Sequence, residues 1–264
     1  MMNQQIPLLL QRIRVQKPLI LNLTNFVTMD FIANGLLSLG ASPIMSLAKE
    51  EMEDLIKLAS CVVINIGTLT SDFMELAHFA SSLANKKNKP IILDPVGAGA
   101  TAYRTQNAQK LLQEHKIAII RGNASEIAAL INKSSSTKGV DSTIDSTEIA
   151  EEARELAALY NNTVCVSGKI DIIANKNKTQ QHQFGSSLMS QVTGMGCLLT
   201  AVVAAFHAVE PDSFIATYTA TLYYALSGEQ AAQKAAAPGE FKLHFIDALF
   251  NKELPCLKET APLF

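Results

Sequence analysis

The stretch SQVTGMGCLLTAVVAAF, Ser190 to Phe206, places two glycines and a thiol at the head of a long apolar run. Gly194, Met195 and Gly196 lead into a segment of helical composition. Glycines let backbone N–H groups turn towards an anion, and a helix N-terminus adds partial positive charge. Together the three residues would form an anion hole for charge building on a transferring phosphoryl group. Cys197 falls in the first turn, where a thiol pKa tends to drop, and it is placed to accept a proton from a substrate hydroxyl. Such general-base help typically contributes ~10²–10⁴-fold. Taken alone, the motif fits equally well a glycine turn in front of a core helix that carries a small apolar cysteine.

Three other segments end apolar runs with polar residues: IILDPVGAGATAYR, IAIIRGNASEI and VCVSGK. Asp94, Arg121, Asn123, Glu126 and Ser167 therefore stand at or just past strand ends, where open α/β sheets bind their ligands. Asp94 and Glu126 offer hard oxygens for Mg²⁺, directly or through water. Arg121 offers a planar fork for phosphate oxygens. Ser167 and Gly168 offer a hydroxyl and a backbone that a ligand can approach closely. Any one of these also reads as a turn or cap residue: Asn123 suits an N-cap and Glu126 a first-turn acid. The run GAGATA after Asp94 nearly satisfies the dinucleotide fingerprint, but the next strand ends at Arg121 and not at an acid, and Pro95 interrupts the strand-to-helix step. No GxxxxGK[ST] loop is present.

The elements that must position these residues alternate. Pro18–Leu23, Cys61–Ile66, Pro90–Leu93, Ile117–Ile120 and Thr163–Val166 are apolar runs of strand length. Helical patterns lie between them over Val27–Leu39, Glu50–Leu58, Ser71–Ala84, Ala108–His115 and Thr147–Tyr160. Strands alternating with helices predict an α/β layered fold whose sheet is mostly parallel and covered on both faces. Ile170–Ala174 and Thr179–Phe184 break the rhythm and predict a β-meander around Asn175-Lys176-Asn177. The chain after Cys197 reads mostly as helix. Ser134–Thr143 is low in complexity and predicts a mobile loop. No linker or fixed repeat divides the 264 residues, so one domain, 1–264, is expected.

Bulk properties narrow the partners. A net charge of −2 gives no general attraction to nucleic acid or anionic membrane. The apolar run from Cys197 falls short of the ~20 residues of a membrane span. Cys61, Cys165, Cys197 and Cys256 show no CxxC spacing, and the histidines form no HxxxH pair. A cytoplasmic chain with free thiols is the expectation.

Five blocks together carry a family resemblance: NLTNFVTMDFIANGLLSLGASPIM (Asn22–Met45), DPVGAGATAYR (Asp94–Arg104), RGNASEI (Arg121–Ile127), VSG (Val166–Gly168) and TGMGC (Thr193–Cys197). With them the chain resembles the hydroxyethylthiazole kinases of the ribokinase-like superfamily. The resemblance implies a ribokinase-like layered sandwich and transfer of a phosphate from ATP, with Mg²⁺, to the primary alcohol of 4-methyl-5-(2-hydroxyethyl)thiazole. It implies that Met45 packs against the thiazole, with Asn25, Val27, Gly67 and Gly194 nearby, and that Arg121 and Ser167 contact ATP. Asp94 and Glu126 would serve metal and phosphates, and Cys197 would stand where related sugar kinases carry a catalytic Asp. A homotrimer with sites between subunits is implied as well. Met195 and Ser167 depart from the usual small residue and Thr, though each keeps the backbone donor or the hydroxyl. The rival readings are a kinase for hydroxymethylpyrimidine or pyridoxal, a dinucleotide-binding oxidoreductase, and an inactive binding protein.

Overall fold

A computed structural model describes residues 5–131 and 149–251. In chain order the elements are α1 (Gln5–Gln16), β1 (Leu19–Leu23), α2 (Met29–Leu39), β2 (Ser42–Met45), α3 (Met52–Leu58), β3 (Cys61–Asn65), α4 (Ser71–Lys86), β4 (Ile91–Asp94), α5 (Ala102–Glu114), β5 (Ile119–Asn123), α6 (Ala124–Leu130), α7 (Ala150–Tyr160), β6 (Thr163–Ser167), β7 (Asp171–Ala174), β8 (Thr179–His182), α8 (Met195–His207), α9 (Ser213–Ala232) and α10 (Pro238–Phe250). They build one eight-stranded sheet in the order β2-β1-β3-β4-β5-β6-β7-β8. The first six strands of that order are parallel, and β7 and β8 close it antiparallel.

The strands read as unbroken apolar runs because both faces are covered. Along β3, Val62 and Ile64 join one core with α3, α4, α6 and α7, while Cys61 and Val63 join a second core with α1, α2, α8, α9 and α10. Helix α8 lies deep in the second core, with every residue from Leu198 to Phe206 buried. Its mouth therefore sits at the end of the sheet where β1, β3, β4, β5 and β6 terminate.

Most predicted elements are present, with three differences. Helix α1 was not expected, although Ile6, Leu9, Leu10 and Ile13 bury an i, i+3, i+4, i+7 face. The short strand β2 pairs in parallel with β1 and forms one edge of the sheet. The Ser42 N–H donates to the Pro18 carbonyl just before β1, which turns the nitrogen of the next residue, Pro43, away from the sheet. Helix α5 begins at Ala102 and not at Ala108, because Thr101 caps it by accepting from the Arg104 N–H at 3.2 Å. The meander is present, and Asn175 shapes its turn by accepting from the N–H groups of Asn177 and Lys178. The loop 134–143 and the predicted start of α7 at Thr147 lie outside the described residues. No described helix is long and apolar enough to cross a membrane.

Candidate active site

Five strand ends and one helix start converge. Gly194 has φ 92°, a left-handed value that glycine adopts at little cost, and it starts α8 without a side-chain cap. The N–H groups of Met195, Gly196 and Cys197 lie in the first turn, where an α-helix has no internal acceptor for them. Arg121, from β5, lies flat against this turn. A Cβ built on Gly196 would meet Arg121 Nη1 at 2.5 Å and Nη2 at 2.9 Å. The other side of the guanidinium donates from Nη2 to Ser167 Oγ on β6 and faces Asp94 Oδ1 on β4 at 3.8 Å. A cation beside a helix N-terminus is tolerated because Asp94 and Glu126 lie close enough to hold it charged against its burial.

Asp94 is fully buried. Burial raises its pKa, and Arg121 with the hydrogen bonds from Thr200 and Asn65 opposes the rise. Its Oδ2 accepts from Asn65 Nδ2 and Thr200 Oγ1, both at 2.8 Å, while Oδ1 is buried without a hydrogen-bond partner. That orphan oxygen fits a divalent cation or a water bound to one. Glu126 fits such an ion less directly. Its two oxygens accept from the Gly97 N–H at 2.9 Å and the Asn123 N–H at 2.8 Å, and Asn123 caps α6 in return. Glu126 thus also braces the GAGATA loop. The Gly99 N–H is taken by Thr105, and Arg104 binds the carbonyls of Ile66, Val96 and Gly67. A loop so fully engaged has little to offer a pyrophosphate, which disfavours the dinucleotide reading.

The thiol of Cys197 is mostly buried. Its pKa was expected to fall at the helix start; instead burial pushes it up, and the Asp94 charge adds to the rise. Asn65, Arg121 and Asn25 oppose that shift. Asn25 Nδ2 reaches Cys197 Sγ at 3.3 Å, and Gly67 packs against Asn25. Met45 is half-buried on the second core at the edge of the sheet, and Val27 is exposed. The Gly168 N–H binds Asp171 Oδ1 at 3.1 Å. Sequence reasoning missed Asn65, Thr200 and Arg104. The first was signalled by a lone amide near the end of the apolar run CVVINIG. In the one described His/carboxylate cluster, His78, Glu114 and His115, the two rings share a hydrogen bond at 2.9 Å, His78 Nδ1 lies 3.1 Å from Glu114, and burial lowers the pKa of both rings.

A family model described as the hydroxyethylthiazole kinase family matches residues 10–253. The chain belongs to the hydroxyethylthiazole kinase family. It is 44% identical over 242 residues to the hydroxyethylthiazole kinase of Desulfotalea psychrophila, covering 92% of this chain and 89% of that one. It is 45% identical over 245 residues to that of Brachyspira hyodysenteriae, covering 93% and 92%. The solved hydroxyethylthiazole kinase of Pyrococcus horikoshii superposes with a TM-score of 0.89 at 37% identity, covering 98% of this chain and 97% of that chain. A pyridoxal kinase from Bacillus subtilis, at 15% identity, 81% and 92% coverage and a TM-score of 0.61, shares the fold alone. The fold is the ribokinase-like layered α/β sandwich, and the chain is a kinase of the hydroxyethylthiazole kinase family.

Asp171, which holds Gly168, gives this family member a pH-dependent stability. Burial pushes its carboxyl up to about 7 from an ordinary 3.8. A raised carboxyl stabilises the fold while protonated, and that contribution is lost as pH rises from the unfolded value through about 7. Asp171→Asn keeps an acceptor for Gly168 and removes the charge. It should therefore raise Tm, with a larger gain at pH 8 than at pH 5. Equal gains at the two pH values in thermal melts would show that the burial does not act through charge.

Proposed function

We propose that this kinase transfers the γ-phosphate of ATP to the primary alcohol of 4-methyl-5-(2-hydroxyethyl)thiazole, acting as a single domain spanning residues 1–264. The observation that carries the reading is the open first turn of α8, with Arg121 laid along one side and Cys197 set within it. Arg121 and Ser167 bind and orient the phosphate chain, with Gly168 beside them. The N–H groups of Met195, Gly196 and Cys197 take up the charge that develops on the transferring group. Bound Mg²⁺ would neutralise phosphate charge; Asp94, through its free oxygen, and Glu126, through water, are the residues to hold it. Cys197 accepts the alcohol proton. It does so as the thiolate, a form that burial keeps scarce, so its share is modest. Gly194, Asn25, Val27, Met45 and Gly67 line the alcohol side.

That side is open in the isolated chain. A cleft of about 380 Å³ lies between Phe26, Leu47, Thr68, Thr70 and Phe73. Phe26 exposes 62% of its surface there, and the next residue, Val27, exposes 69% of its own, an apolar area a partner would cover. This supports a homotrimer whose subunits complete one another's sites. The three described cysteines are unpaired, which supports a cytoplasmic setting.

ATP consumption measured side by side with the hydroxyethylthiazole, hydroxymethylpyrimidine and pyridoxal should favour the thiazole in kcat/KM. A preference for either other alcohol would overturn the substrate and leave the kinase. Cys197→Ser should lower kcat by about 10²-fold, the lower end for loss of a general base, and leave both KM values within a few-fold. Wild-type turnover in that variant would remove the thiol from the chemistry.

A further inference from the structure

One backbone group sets the polarity of the whole buried network between phosphate and alcohol sides. The Gly67 N–H points at Asn65 Oδ1 at 2.9 Å. A backbone N–H only donates, so that atom is the amide oxygen and the other is the NH₂. The Asn65 NH₂ then donates to Asp94 Oδ2 at 2.8 Å. Asn65 Oδ1 also receives Asn25 Nδ2 at 3.0 Å, which fixes the second amide in turn. Asn25 Oδ1 accepts from Thr28 Oγ1 at 3.0 Å, and its NH₂ is left to serve Cys197 Sγ at 3.3 Å. Both asparagines are buried, so each of these choices is enforced by the cost of an unmet polar group.

We propose that Asn65 is a positioning residue for the phosphoryl transfer, holding Asp94 and the Asn25–Cys197 pair in one fixed register. The inference rests on the kinase reading above. Through Asn65 the carboxylate receives a donor and keeps Oδ1 free. Through Asn65 and Asn25 the sulfur also receives a donor, which favours negative charge on it. The charged end and the proton-accepting end are thus tied across two strands, β3 and β4, and one loop. No exposed side chain enters the chain of contacts, so its geometry does not depend on solvent.

Asn65→Asp and Asn65→Ser test this. In the first, an oxygen replaces the NH₂ against Asp94; in the second, the link to Asp94 is too short to form. Steady-state kinetics should show kcat down about tenfold or more, the ratio that one hydrogen bond to a charged group carries, with both KM values within a few-fold. Peptide-resolved alkylation of Cys197 with iodoacetamide at one fixed pH should also change rate by several-fold, because the sulfur has lost its oriented donor. Thermal melts report folding. Unchanged kcat and unchanged Cys197 alkylation in a folded variant would overturn the proposal. A fall in kcat with unaltered alkylation would also overturn it, since Asn65 would then act on Asp94 alone. If neither variant is soluble, Asn25→Ser, which removes the donor to sulfur together with the Asn65 and Thr28 contacts but leaves the Asn65–Asp94 hydrogen bond, must change the alkylation rate or the proposal fails. Absence of thiazole phosphorylation by the unaltered protein would instead refute the kinase reading and leave the alkylation result standing.

Discussion

Gly196→Val is expected to lower kcat by about 10²–10³-fold, the loss typical of a damaged anion hole. The collision is with the protein's own Arg121: even the Cβ would stand 2.5 Å from Nη1. The guanidinium must swing away, breaking its contacts with Ser167 and Asp94. Gly196→Ala should show most of the same loss, since the Cβ alone collides. Alanine in a helix is otherwise better than glycine by about 1 kcal/mol, so the alanine variant separates activity from stability. Turnover should collapse while circular dichroism stays wild-type. Full turnover in Gly196→Ala would mean that Arg121 does not occupy this position during catalysis.

Arg121→Lys should raise the apparent KM for ATP by about tenfold or more, because an ammonium cannot hold a phosphate in the two-pronged way of a guanidinium. It cannot bridge Ser167 and Asp94 simultaneously either. The charge is kept, so Tm should fall little. Arg121→Ala should lose ATP binding and also unfold more readily. It leaves the fully buried Asp94 without its counter-ion, and breaking a buried pair typically costs about 3–5 kcal/mol. Kinetics against ATP concentration, with thermal melts of both variants, separate the two effects. An unaltered ATP KM in Arg121→Lys would assign the phosphate chain to other donors.

The sheet was legible because burial on both faces writes strands as continuous apolar runs, and the polar residues ending three of them marked the candidate site. Arg121 contacts both Ser167 and Asp94. Asn65 stayed hidden because one amide near the end of an apolar strand has no periodicity; only its neighbours across β1 and β4 give it a role. The thiol of Cys197 was misjudged for a related reason. Position in a helix is a property of sequence, whereas burial depends on what folds over it, and here burial wins. The N–H of Gly168 is claimed by Asp171, a partner only three residues along, across a turn whose shape the residue types alone do not specify.

The edge strand β2 carries one more implication. Its Pro43 has no N–H to present where its nitrogen faces away from β1. A foreign strand approaching this side would find a gap in the row of donors it needs. The site-bearing margin is thereby protected against strand addition, both while the chain is folding and when copies crowd together. Any assembly that uses this margin must then recognise side chains, such as the exposed Phe26 and Val27 nearby, and cannot arise by extending the sheet from one molecule into the next.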